Sequence, residues 1–277
     1  MDSATRIVRP RALGFDFEVL ADDLIIGPAI EAGSWADDET YLFRAHVAAG
    51  TKVVDLGANV GWFAVQAVLA GAEVHAFEPV PVIADVCERN LRRAEQVGRG
   101  KAILHRVAAS DAPGRASIVL AAKNHGDNRV IESGARPADL ADGETIEIEL
   151  ARVDDRVQGP VGFLKIDTQG SEWLALRGAR KLLDASPQLA MLLEFWPYAL
   201  RGATPQELLT FLFERGFTMG KATEAPYPMD AARILRQALA RDPVRGGIDL
   251  YGTRGRPFHV TSAKNRLRAL VRSLKEA

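Results

Sequence analysis

One segment, VVDLGANVGWF at 53–63, limits the fold of this 277-residue chain more than any other. Its apolar, β-branched run predicts a buried strand, and the glycine-containing turn leads into residues 61–70, which have the apolar spacing of a helix. A strand that turns through glycine directly into a helix is typical of the nucleotide-binding edge of an open parallel sheet. The segment therefore predicts an α/β fold with a ligand site beside this turn.

Strands and helices keep alternating after the turn, as βαβ units do in a parallel sheet. Strands are predicted at 73–79 and 102–110, with a helix at 82–96 between them. Two alternating, β-branched segments, 114–122 and 145–153, interrupt this rhythm and enclose a long polar loop. The later predicted elements are strands at 162–167, 188–197, 217–224 and 248–254, and helices that end near 185, begin at 204 and span 230–240.

The two ends of the chain differ from its middle. The N-terminal part predicts two short strands, at 15–19 and 23–26, and a helix at 37–49. The C-terminal end is basic and shows no clear apolar face. The predicted division is a lead-in at 1–50, one catalytic domain at 51–255 and a basic tail at 256–277.

Composition excludes several classes of protein. Hydrophobic residues make up 47% of the chain and charged residues 26%, as in globular proteins. Thirty-five basic and 36 acidic residues leave a net charge of −1, so no overall field directs the chain to nucleic acid. The sequence has neither an apolar run that could span a membrane nor a secretory signal. We therefore expect a cytoplasmic enzyme, with an oligomeric state that the sequence does not specify.

The glycine turn has the chemistry of a cofactor site. Gly57 and Gly61 allow a sharp turn and a close approach of the backbone to a ligand. Exposed amides at the start of the following helix favour a carboxylate, such as that of a methionine group. Asp55 can receive an amino group or hold the loop. Glu78 ends the next strand, where a carboxylate can accept hydrogen bonds from both ribose hydroxyls.

An NAD-dependent oxidoreductase would share that glutamate and is an alternative. Its fingerprint is G-x-G-x-x-G, whereas Asn59 stands at the second glycine position here. The acid before the first glycine also favours S-adenosylmethionine. Ser110 and Asp111 end the third predicted strand, where the adenine amino group would lie. Asn59, Ser110 and Asp111 therefore join the predicted cofactor-binding residues.

These residues, together with a later segment, resemble the FkbM family of methyltransferases. The shared motifs are DLGANVG at 55–61, FEP at 77–79, KIDTQGSE at 165–172 and LRGA at 176–179. The resemblance implies a Rossmann-like class I methyltransferase, with a seven-stranded, mostly parallel sheet whose last strand is antiparallel. It also implies S-adenosylmethionine as cofactor and methyl transfer, often to a sugar or natural-product hydroxyl.

Methylation of an alcohol requires a group that takes the proton from the attacking hydroxyl. Asp167 is expected at the end of the fourth strand, above the cofactor, and Glu194 at the end of the fifth. His125 lies in the polar loop and has an ordinary pKa near neutrality. Asp167 and Glu194 could together hold a divalent metal, but a metal-free site is favoured because two carboxylates are a weak metal signal.

The acceptor is expected to be a small molecule or glycan. The favoured reaction is O-methylation of a hydroxyl on a sugar-bearing or secondary-metabolite acceptor. N-methylation or carboxyl-O-methylation of a small molecule is an alternative within the same fold. A binding module without catalytic activity is a further alternative, which substitution of Asp167 and Glu194 would test.

Overall fold

Strands and helices alternate through the part of the chain that the structure describes, residues 4–258 apart from 12, 132–136 and 245. In this computed structural model the strands are β1 (Thr5–Val8), β2 (Phe17–Leu20), β3 (Lys52–Leu56), β4 (Glu73–Phe77), β5 (Lys101–His105), β6 (Ala108–Ala109), β7 (Gly114–Val119), β8 (Arg129–Ile131), β9 (Thr145–Ala151), β10 (Phe163–Ile166), β11 (Leu189–Phe195), β12 (Thr218–Lys221) and β13 (Ile248–Arg254). The α-helices are α1 (Ile26–Ala32), α2 (Asp37–His46), α3 (Trp62–Leu69), α4 (Pro81–Val97), α5 (Glu172–Gly178), α6 (Arg180–Asp184), α7 (Pro205–Glu214) and α8 (Ala231–Leu239).

The central sheet has seven strands in the order β12-β13-β11-β10-β3-β4-β5. β13 is antiparallel to both of its neighbours, and the other strands run parallel to one another. The predicted Rossmann-like sheet with an antiparallel last strand is therefore confirmed. The strand order reverses between β3 and β10, and ligands of such sheets bind in the crevice outside the carboxyl ends of the strands at this point.

A second sheet, in the order β6-β9-β7-β8, contains the segments that interrupt the predicted alternation. It also corrects the third predicted strand, because β5 ends at His105 and the chain then leaves the central sheet. Arg106 turns outward to pair with Asp85 and Glu88, and β6 pairs with β9. The apolar residues after Arg106 were predicted to continue the third strand of the central sheet, but they belong to the second sheet.

The lead-in has the predicted types of element but not all the predicted positions. β1 pairs with β2, and the strand predicted at 23–26 is wrong because a helix begins there. The Asp23 carboxylate accepts hydrogen bonds from the backbone amides of Ile25, Ile26 and Gly27, which starts α1. The helix predicted to end near 185 is also divided, into α5 and α6.

Both faces of the central sheet are covered by apolar side chains. The lead-in packs on one face, where the Phe17 ring meets the Trp62 ring edge-on at 5.9 Å. The Asn90 side chain on α4 bonds the backbone of Glu18 on β2. The domain boundaries remain predictions, and the basic tail lies outside the described residues from 259 onward. Among the helices described, none is long and apolar enough to cross a membrane.

Candidate active site

A cavity of about 700 Å³ opens at the carboxyl ends of β3, β4, β10 and β11. Its volume lies within the range of small-molecule sites. The part lined by the turn after β3 and by Glu78, where the sequence predicts the methyl donor, is called the donor half. The part lined by Glu39, Asp167, Glu194 and Asp249, where the methyl acceptor is expected, is called the acceptor half. The cavity therefore lies where the strand order predicts a ligand.

The turn after β3 has a conformation that requires glycine at Gly57. The residue has a φ of 80°, and a Cβ atom there would lie 1.8 Å from the backbone oxygen of Asp167. Asn59 also has a positive φ, of 51°. Its side-chain amide donates to the His125 carbonyl, and its backbone N–H donates to Glu78. Gly61, with a φ of 93°, precedes the first turn of α3. Hydrogen bonds to Glu78 and to the His125 carbonyl therefore hold the loop in place.

Glu78 lines the cavity and is only 5% exposed. Its two carboxylate oxygens accept the backbone N–H groups of Asn59 and Val80, at 2.9 and 3.0 Å. Burial raises the pKa of Glu78 to about 7, although both hydrogen bonds lower it. Each carboxylate oxygen keeps a further lone pair, so Glu78 can accept hydrogen bonds from a ligand.

Asp55 lies beneath the turn and is 1% exposed. Neither carboxylate oxygen has a hydrogen-bond partner of ordinary geometry among the described residues. Burial raises the pKa of Asp55 to about 6, while the charge of Lys165 and the backbone amide of Ala64 lower it. Asp55 does not belong to the described cavity wall. Its position fits support of the loop better than direct contact with an amino group.

Asp167 and Glu194 occupy adjacent strand ends and share one amide. The Gln169 side chain donates 2.8 Å hydrogen bonds to Asp167 Oδ1 and to Glu194 Oε2. Gln169 has a φ of 51°, a conformation that costs a non-glycine residue about 1–3 kcal/mol and is frequent at functional sites. The loop that holds Gln169 is bound to Glu172, which accepts the backbone amides of Thr168 and Gly170.

The two carboxyl groups have opposite pKa shifts. Burial raises the pKa of Asp167, but the charge of Lys165 and the hydrogen bonds from Gln169 and Lys165 outweigh it, so the pKa lies below its ordinary value. Burial and the charge of Asp167 raise the pKa of Glu194 well above its ordinary value. One carboxylate beside one carboxylic acid is the arrangement expected of an acid–base pair.

A second pair of carboxyl groups, Glu39 and Asp249, lines the acceptor half. Glu39 comes from α2 and Asp249 from β13, and their side chains are hydrogen-bonded to each other. Burial, followed by the charge of Glu39, raises the pKa of Asp249 well above its ordinary value. Burial also raises the pKa of Glu39. The pair therefore holds a proton more firmly than two isolated carboxyl groups would.

The second sheet, which lines part of the cavity, is joined to the central sheet by Arg129. This buried guanidinium forms salt bridges with Asp127 and Asp139, at 2.8 and 2.7 Å. Its Cζ atom lies 4.4 Å from the ring centre of Trp196, which follows β11. Trp196 and both aspartates line the cavity. The contact joins the second sheet to the end of a central strand.

Besides Asp55 and Gly61, three predicted site residues are not part of the described cavity wall. The His125 ring pairs with Asp22, and only its neighbours Asn124 and Gly126 line the cavity. Ser110 and Asp111 follow β6, where Asp111 faces Arg177. The shorter β5 removes the reason for placing them beside adenine, and Val107, Ala108 and Ala109 line the cavity there. We retain none of the three as a first choice for direct contact.

Sequence reasoning missed Glu39, Gln169 and Asp249. Asp249 carried a usable signal, because it lies between the apolar residues Ile248 and Leu250 in a strand, and a charge in a covered strand requires a partner. Glu39 carried none, since an acid in the first turn of a helix has an ordinary role there. In the described part of the chain, no group of three or more potential ligands has a metal-binding arrangement.

Comparison with known proteins identifies the family. The model of the FkbM methyltransferase domain matches residues 55–219. The chain is 29% identical over 161 residues to methyltransferase sdnD of Sordaria araneosa, a match that covers 48% of this chain and 62% of that protein.

Two solved methyltransferases are more distant. An FkbM methyltransferase from Methylobacillus flagellatus KT is 18% identical with a TM-score of 0.43, over 81% of this chain and 52% of that one. A magnesium protoporphyrin IX methyltransferase from Synechocystis PCC 6803, solved with S-adenosylmethionine, is 11% identical with a TM-score of 0.45, over 84% and 85%. By the match to the family model, and as its motifs predict, the chain belongs to the FkbM family of S-adenosylmethionine-dependent methyltransferases.

Proposed function

We propose that the chain transfers the methyl group of S-adenosylmethionine to a hydroxyl of a sugar-bearing or secondary-metabolite acceptor. The observation that carries this proposal is one cavity whose wall combines a glycine turn and Glu78 with two dissimilar carboxyl groups, Asp167 and Glu194. We also propose that the enzyme is cytoplasmic and that its acceptor is a small molecule or glycan.

The donor half has groups that fit S-adenosylmethionine. Glu78 would accept the ribose hydroxyls, and the apolar stretch 107–109 would lie against the adenine ring. The turn at Gly57 and Asn59 would hold the methionine part close to the backbone. When bound, this cofactor supplies a methyl group that its sulfonium has already activated.

The charge of the cavity argues against carboxyl-O-methylation. Among the described residues that line it, Lys165 is the single cation and already pairs with Asp167, so a carboxylate acceptor would be buried there without a counter-charge. A neutral hydroxyl meets no such penalty. The carboxyl groups in the wall are Glu39, Glu78, Asp127, Asp139, Asp167, Glu194 and Asp249.

Methyl transfer mainly requires alignment, which is worth up to about 7–11 kcal/mol in well-oriented systems. As the acceptor oxygen forms its bond to the methyl carbon, the carbon–sulfur bond breaks and the oxygen becomes positive. The protonated ether is a far stronger acid than a carboxylic acid. Even a carboxylate of low pKa can therefore take the proton, provided that it is ionised and in place.

The first experiment measures donor binding by thermal shift and calorimetry with S-adenosylhomocysteine, with NADH in parallel. A ligand that binds only the folded protein raises its melting temperature. We expect S-adenosylhomocysteine, and not NADH, to raise the melting temperature. The opposite result would contradict the proposal. Glu78→Gln should weaken binding roughly 10- to 150-fold, because a hydrogen bond to a charged group contributes about 1.5–3 kcal/mol. Glu73→Gln, at the exposed start of the same strand, is the control.

The second experiment tests the acceptor group. Transfer of labelled methyl is measured to a panel of hydroxyl-bearing glycosides and to the same compounds with the hydroxyls blocked. We expect transfer only to the free hydroxyls. Transfer to the blocked compounds, at an amine or a carboxylate, would replace O-methylation by the corresponding alternative.

A further inference from the structure

Lys165 is a buried cation inside the cavity. It lies two residues before Asp167 on β10, so both side chains project from the same face of the sheet. The residue is 7% exposed, and its Nζ atom donates to Asp167 Oδ2 at 3.1 Å. The Phe63 ring covers the ammonium group at 5.1 Å. A cation held in this way is fixed relative to one carboxylate.

The contact distinguishes the two carboxyl groups of the site. Lys165 donates to Asp167, whereas Gln169 donates equally to Asp167 and Glu194. Burial lowers the pKa of Lys165, but the charges of Asp167 and Asp55 outweigh this effect and keep the amine protonated. Further carboxyl groups interact electrostatically with Lys165 or with Asp167, namely Glu39 on α2, Asp55 on β3, Glu172 on α5, Glu194 on β11 and Asp249 on β13.

We infer that Lys165 is the positioning residue that makes Asp167, and not Glu194, the proton acceptor of the methyl transfer. The inference rests on the proposed function. The acceptor oxygen forms its bond to the methyl carbon as the carbon–sulfur bond breaks, and its proton passes to an oxygen of Asp167. Glu194 is the protonated partner throughout. Lys165 acts by keeping the Asp167 carboxylate ionised and oriented.

The test uses the full chain without any acceptor. Aspartate and glutamate carboxyl carbons are labelled with ¹³C and titrated by NMR, with Asp167→Asn and Glu194→Gln as assignment variants. The wild type should show Asp167 ionised and Glu194 protonated at neutral pH. Lys165→Met should raise the Asp167 midpoint by roughly one to three pH units, the effect of an opposite charge at this distance. Lys165→Arg, which keeps the charge, should restore a low midpoint.

Two results would overturn the inference. One is an ionised Glu194 beside a protonated Asp167 in the wild type, which needs no variant and so does not depend on whether Lys165→Met folds. The other is an unchanged Asp167 midpoint in folded Lys165→Met. These titrations are independent of S-adenosylhomocysteine binding, so failure of the proposed function would be recognised separately.

A kinetic arm follows once an accepted hydroxyl compound is known. Lys165→Met should lower kcat and move the acidic limb of the pH–rate profile to higher pH, while S-adenosylhomocysteine affinity stays near that of the wild type. Lys165→Arg should recover the wild-type profile. The inference would be contradicted if Lys165→Met lowered only the affinity for S-adenosylhomocysteine and left the pH–rate profile unchanged.

Discussion

The donor half of the cavity is formed mainly by backbone, whereas the acceptor half is formed by side chains. The donor half consists largely of backbone in unusual conformations, at Gly57 and Asn59, with one carboxylate, Glu78, that bonds the same loop. The acceptor half consists of carboxyl side chains contributed by α2, β11, β13 and the turn after β10. A fixed backbone surface suits one invariant donor, whereas a set of side chains from separate elements can be altered one at a time.

The largest expected effect is in the donor half, at Gly57→Ala. The new Cβ atom would meet the Asp167 carbonyl, and the φ of 80° is unfavourable for alanine. We expect a loss of roughly 2–5 kcal/mol in the free energy of unfolding, from overpacking and backbone strain together. Binding of S-adenosylhomocysteine should be abolished. Urea unfolding and calorimetry measure the two effects.

Gly114→Ala is the matched control for that substitution. Gly114 lies in β7, and an added Cβ atom there would have no neighbouring atom within 4 Å, so alanine should change stability by less than about 1 kcal/mol. Equal losses in the two variants would show that the turn after β3 does not depend on close packing against Asp167.

This contrast also explains how far the sequence could lead. β3 and its turn were predicted because their signals lie within one short segment. The same holds for the helix predicted to begin at 204, where Thr204 and Glu207 form a capping box in the structure. The Glu39–Asp249 pair was not predictable, because its members come from opposite ends of the chain. Local periodicity describes an element and does not say which distant element will face it.

The error at the third strand has the same origin. Residues 107–109 continue the apolar run of β5, and periodicity cannot say with which sheet an apolar segment pairs. In the structure, β6 pairs with β9 of the second sheet instead. Ser110 and Asp111 therefore follow β6 of the second sheet, and not a strand of the central sheet as predicted.

The next prediction concerns Asp55, which lies beneath the turn near Lys165, and the pH dependence of stability that it causes. Its pKa is about 6 in the folded protein, against 3.8 ordinarily. Between these values the folded state binds more protons than the unfolded state, so the free energy of unfolding decreases as pH rises through this window. The decrease should amount to about 3 kcal/mol, because each tenfold change in proton affinity corresponds to about 1.36 kcal/mol.

Asp55→Asn should remove that pH dependence while leaving the contributions of other groups. Urea unfolding at several pH values in the window measures the difference between the two proteins, and its slope is unaffected by any constant offset that the amide introduces. Asp142→Asn, at an exposed turn, should retain the wild-type slope. Parallel curves for wild type and Asp55→Asn would mean that the buried carboxyl titrates normally.

The smallest effect is expected for Glu39→Gln, which tests most directly whether the two halves act independently. Glu39 bonds Asp249 in the acceptor half, so its substitution should leave S-adenosylhomocysteine affinity within about twofold of the wild type. Methyl transfer to an accepted hydroxyl compound should decrease by roughly 5- to 100-fold, as expected when one buried hydrogen-bonding group is lost. Asp37→Asn, at the exposed start of the same helix, should change neither quantity. If Glu39→Gln weakened donor binding as strongly as Glu78→Gln, the two halves would act as one site, because a charge in the acceptor half would then be needed to hold the donor.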